Sequence, residues 1–121
     1  MWICLNRAFL SIVEPQAGSR GSSPTLLVRA RRKGDIKSVF PDAVVESRPE
    51  RDYLFRAVVP RSAVAEAVAN EVMGIDYNNF KGSVGNRKLH DAYSAFWGIH
   101  ARLQPTPPYS GRRNSRQASM L

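Results

Sequence analysis

Two segments of this chain alternate in a way that leaves few architectures open. In TLLVRAR, residues 25–31, Leu26, Val28 and Ala30 fall on one side of an extended strand, and Leu27, Arg29 and Arg31 on the other. In DYLFRAVV, residues 52–59, Tyr53, Phe55, Ala57 and Val59 share a side, and Leu54, Arg56 and Val58 take the opposite one. Burying an unpaired guanidinium beneath a helix costs several kcal/mol. Arg29, Arg31 and Arg56 must therefore face outward, with Tyr53 and Phe55 turned toward the helices. The chain has to build a sheet with one covered face and one wet, basic face. On AVVES, residues 43–47, hydrophobicity does not choose a side; Val44 and Glu46 outward lets Glu46 meet an arginine across the sheet.

The remaining elements follow from local chemistry. WICL and FLSIV, separated by NRA, read as a hairpin with Asn6 at the bend. PQAGSRGSSP, residues 15–24, has no core-forming residue and reads as the most mobile internal loop. GDIKSVFP is a short helical piece with Asp35 near its start, stopped by Pro41. AVVES and DYLFRAVV form an antiparallel hairpin around RPER. A helix follows, with Ser62 as its N-cap, Gly74 as its C′ residue and a stripe of Val64, Val68 and Val72. After the irregular IDYNNFKGSVG, a last helix spans residues 86–103, with Leu89, Ala92, Tyr93, Phe96, Ile99 and Leu103 at helical spacing.

Strands early and helices late predict an α+β domain. The expected fold is an antiparallel sheet covered on one face by two main helices, a ferredoxin-like variant with an added N-terminal hairpin. One domain over residues 1–104 is followed by a basic Pro/Ser/Arg tail over 105–121, too poor in apolar residues to fold. No apolar run approaches the ~20 residues that span a bilayer. Residues 1–15 do not read as a secretory signal, because no basic residue precedes the apolar stretch and Arg7 interrupts it.

Charge bounds the function. The net charge is +8, which directs attention to an acidic partner, nucleic acid or an acidic protein surface. The outward Arg29, Arg31 and Arg56, with Arg32 and Lys33 in the turn that follows, form the first candidate anion-binding surface; Arg48 and Arg51 flank it. Lys81, Arg87 and Lys88 form a second around a glycine-containing loop and a helix start, although the spacing matches neither phosphate-loop fingerprint. Arg112, Arg113 and Arg116 make the tail a basic arm. The aromatics that would stack bases are expected on the covered face, so the basic face would attract backbone without reading bases.

Catalysis finds little support. Cys4 is the sole cysteine, which rules out an internal disulfide and fits a reducing, cytoplasmic setting. Its apolar neighbours describe a buried, unreactive thiol. His90 and Asp91 point apart as helix neighbours, and His90 and His100 lie about 15 Å apart on a helix, too far to share a metal. No catalytic residue, metal or cofactor is assigned.

The pieces MWICLNRAFLSIV, LLVRARRKGDI, DYLFRAVVPR, IDYNNFK and HDAYSAFW resemble a family of short bacterial proteins of unknown function, over about residues 1–103. The resemblance implies a single domain from a bacterium, its phage or a plasmid, and supplies no activity. It gives weight to IDYNNFK, where Tyr77 and Phe80 are expected to tuck under the last helix.

The leading expectation is a small non-catalytic basic module that binds nucleic acid backbone. The alternatives are a protein-interaction module, such as a mobile-element-encoded inhibitor of a host nucleoprotein or defence complex, and a nuclease-like enzyme using His90.

Overall fold

The cross-strand register follows the alternation of the two arginine-bearing segments. A computed structural model describes residues 1–16, 18 and 20–106. Five strands form one antiparallel sheet: β1 (Trp2–Cys4), β2 (Phe9–Val13), β3 (Thr25–Ala30), β4 (Glu46–Ser47) and β5 (Phe55–Pro60), in the order β1-β2-β3-β5-β4. The edge strands β1 and β4 are the shortest, three and two residues, and so offer little open ladder to another chain. The helices are α1 (Asp35–Val39), α2 (Arg61–Met73) and α3 (Arg87–His100), with short 3₁₀ turns at Lys81–Ser83 and Ala101–Leu103.

Within this order, β3-α1-β4-β5-α2 is a split β-α-β unit: β5 runs antiparallel between β3 and β4. The hairpin strand β2 occupies the free edge of β3, antiparallel to it. That is the place of the last strand in a ferredoxin-like sheet. The added hairpin thus completes the sheet as well as extending it.

The main core lies on the inner face. Leu10, Ile12, Val28, Ala30, Ala57 and Val59 from the sheet meet Ile36 and Phe40 of α1 and Val64 of α2. Each large side chain buried there contributes about 1.5–3 kcal/mol. Gly34 enters α1 at φ +92°, a left-handed conformation that a side chain would strain. The cover expected over one face comes from α1 and α2. The last helix is placed differently: Leu89 and Tyr93 of α3 form a second cluster with Val84, Cys4, Phe9 and Phe80. Phe9 and Leu10 are successive strand residues, so the two clusters lie on opposite sides of the sheet.

Tyr93 anchors this second cluster. Its hydroxyl lies 2.9 Å from the Leu5 carbonyl and 3.0 Å from that of Ala8, both in the turn of the first hairpin. Burial, reinforced by Cys4 and Asp35, holds the phenol well above its ordinary pKa and keeps it a donor. Tyr93→Phe is expected to cost about 1–2 kcal/mol in urea unfolding. Phe80 packs on Tyr93 of α3 at 5.3 Å, as expected, whereas Tyr77 reaches Phe80, at 5.7 Å, and lines a cavity beside the end of α2.

Several local expectations are corrected. The first hairpin turn runs Leu5–Ala8, closed by the Leu5 N–H donating to the Ala8 carbonyl at 2.8 Å, one residue longer than NRA. The helix after β5 starts at Arg61, and Pro60 rather than Ser62 stands at its N-cap, with no side-chain cap. The Arg61 N–H instead donates to the Pro24 carbonyl at 2.8 Å, so a neighbouring loop satisfies it. Gly74 closes the helix at φ −90°, outside the left-handed region. Val64 is buried, whereas Val72 is exposed, so the expected apolar stripe does not run the length of α2. β5 begins only at Phe55, so the alternation does not extend back to Tyr53.

Candidate functional site

Side chains on one face of a sheet line up across the strands, and here one such row crosses the whole molecule. Trp2 stands opposite Ser11, Ser11 opposite Arg29, Arg29 opposite Arg56, and Arg56 opposite Glu46. This is the outer face, the reverse of the face bearing Leu10, Val28 and Ala57. Arg29 and Arg56 therefore oppose each other directly, a like-charge pair that destabilises a sheet.

Their surroundings explain how the pair is tolerated. An Arg29 Nη donates to Ser11 Oγ at 2.6 Å, and Ser11 is fully buried. The Arg29 guanidinium lies 4.6 Å from the Tyr53 ring centroid, and that of Arg31 lies 4.2 Å from it. Arg31 also donates to the Asp52 carbonyl at 2.6 Å. Tyr53 was expected under the helices. It is buried, as expected, but beneath these two outer-face cations, because it precedes the strand and its side chain is free of the strand alternation. Two arginines over one ring gain cation–π attraction that partly offsets their repulsion.

Arg56 is less well served. Its side chain is 16% exposed, and its nearest carboxylate is Asp52 at 3.9 Å. One Arg56 Nη and the Arg29 Nε are buried without a hydrogen-bond partner. Burial first, then Arg51 and Arg29, pulls Arg56 below the usual guanidinium pKa. Nearby, Arg48 pairs with Glu46 at 3.1 Å and with Glu50 at 4.0 Å. Glu46 lies opposite Arg56 in register, as its outward placement anticipated. A cleft of about 400 Å³ opens here, walled by Leu27, Val44 and Val58 and rimmed by Arg48, Arg51 and Arg56. Five arginines meet three carboxylates on this side, and two guanidinium N–H groups still lack acceptors. This side of the sheet therefore carries an excess of positive charge.

The other candidate cations are scattered. Arg32 chelates the buried Asp35 at 2.8 Å, and its other Nη hydrogen donates to the Arg7 carbonyl, so it pins α1 to the first hairpin. Lys33 is exposed beside it. Lys81 lies 4.3 Å above the Trp97 ring. Arg87 and Lys88 are exposed in the first turn of α3, where Asn86 caps the helix by accepting the Leu89 N–H at 3.0 Å. Arg112, Arg113 and Arg116 lie outside the described residues.

The expectation that His90 and Asp91 point apart is corrected. His90 Nδ1 comes within 3.6 Å of Asp91 Oδ1, closer than helix neighbours were expected to approach, in an exposed position. No group of three metal-ligating side chains occurs among the described residues. Burial pushes the Cys4 thiol above its ordinary pKa, which keeps it protonated and poorly nucleophilic.

The sequence reading missed Trp2 on the outer face. Its position follows only from the hairpin register, which sets it opposite Ser11. Trp2 is 60% exposed.

Fold and surface together define an α+β protein with an arginine-lined sheet face. No family model matches the chain, and neither a curated protein nor a solved structure matches it. No helix among the described residues is long and apolar enough to cross a membrane.

Proposed function

We propose that the protein is a non-catalytic module that binds an acidic macromolecule, nucleic acid backbone above all, through the outer sheet face. The observation that carries this reading is the directly opposed Arg29–Arg56 pair, whose nearest carboxylate, Asp52, stays 3.9 Å from Arg56. A like-charge pair set directly across a ladder destabilises a sheet, and an anion at its exposed rim would offset that repulsion. Arg31, Arg48 and Arg51 extend the surface. The setting proposed for it is the cytoplasm.

Filter binding to DNA and RNA at about 50 and 200 mM salt tests this, with an expected drop of at least tenfold for even a few phosphate contacts. Absence of binding at the lower salt would remove the reading.

A second reading rests on α3. Trp97 and Ile99 near its end and Leu103 in the turn that follows are exposed, and exposed large apolar side chains suit a protein partner. It would make the module an interaction protein, the mobile-element inhibitor among the possibilities. Indifference to nucleic acid, with a stoichiometric partner lost on Ile99→Asp, is its signature.

A further inference from the structure

We propose that the groove between α3 and the outer sheet face is a base-stacking site, so that the nucleic acid taken is single-stranded. This rests on the nucleic-acid reading above and specifies it. Trp2 is held in place by two rings, Phe9 at 5.9 Å edge-on and Phe96 at 5.9 Å tilted, yet most of its surface is open. A buttressed but exposed indole is a ready platform for an unpaired base, which stacks on aromatic rings whatever its identity. The groove beside it has a volume of about 420 Å³ and is walled by Trp2, Phe96 and Ile99, within the range of small-molecule pockets.

The charge around the groove selects the occupant. Arg31, Arg32 and Lys88 line it, and its one carboxylate, Asp35, is already held by Arg32. An apolar floor with a cationic rim matches a ligand with apolar rings and an anionic backbone. The row across the sheet supplies the path: from Trp2 to Arg29 is two strand steps, roughly 10 Å, and Arg56 lies one step further. A base on Trp2 thus leaves the following phosphates over Arg29 and Arg56. A duplex keeps its bases paired and cannot place one in the groove.

Fluorescence titration of a Trp97→Phe variant, which leaves Trp2 as the only tryptophan, tests this with a short oligo-dT and a duplex of equal charge at about 50 mM salt. The single strand is expected to quench Trp2 and to bind roughly tenfold tighter than the duplex. Trp2→Ala and Phe96→Ala, each checked for an unchanged circular dichroism spectrum and melting point, should each weaken single-strand binding by roughly tenfold and leave duplex binding unaltered. Equal affinity for both forms, with Trp2→Ala silent, would overturn the stacking site and leave the backbone reading intact. Binding to neither would end both. A dimer in sedimentation that Trp2→Ala dissociates would show that a second copy fills the groove and would overturn the proposal.

Discussion

Replacing Asp35 by alanine is expected to lower stability by about 3 kcal/mol. In a domain of this size that corresponds to a melting point roughly 10–15 °C lower. Asp35 is 4% exposed. Its carboxylate accepts from the Arg32 Nε and Nη and from the Phe9 backbone N–H at 3.2 Å. One side chain therefore joins the start of α1, the end of β3 and the start of β2. Removal leaves the Phe9 N–H and the Arg32 guanidinium short of an acceptor. Arg32 is about one-third exposed, so water recovers part of the loss and keeps it at the low end for a buried pair. Asp35→Asn, which keeps an oxygen toward Phe9, should lose about half as much. Thermal and urea unfolding read both values. A loss under about 1 kcal/mol for Asp35→Ala would show that the ion pair is dispensable.

The second large effect separates function from stability on the outer face. Arg56→Met is expected to leave stability unchanged or raise it by up to about 1 kcal/mol, because it removes one member of a directly opposed like-charge pair. It should weaken nucleic-acid binding about tenfold and lower the salt slope by about one, the signature of one lost phosphate contact. Arg29→Met should behave differently. It leaves the buried Ser11 hydroxyl without this donor and strips one cation from Tyr53, at a cost of about 1–2 kcal/mol. The pair of melting curves and salt titrations reads all four quantities. A marked destabilisation by Arg56→Met would make that guanidinium a structural group, and unchanged affinity would take the outer face out of binding.

How far each feature was legible depends on the range of the interactions behind it. The strands β3 and β5 could be read locally, because arginine at alternate positions cannot be buried unpaired and alternation fixes the faces. The placement of Arg29 and Arg56 on one face followed from that. Their being directly opposed did not, since it depends on register. Tyr53 failed the same rule because the strand starts two residues later than the alternation suggests. Ser62 failed as a cap because Pro24, distant in sequence, provides the acceptor.

The sequence by itself determined the α+β class, the order of the elements, the outward side for Arg29 and Arg56, and the inward side for Val28, Ala30, Ala57 and Val59. These rest on period, turn chemistry and the cost of burying charge, all of which act within a few residues. Only the tertiary structure decided that α3 lies on the side opposite α2, that Tyr53 serves as a shared ring for two arginines, and that Trp2 stands in line with Arg29 and Arg56. Those relations are set by pairing between segments far apart in the chain. A one-residue change of register would turn Trp2 to the other face while leaving every local pattern intact.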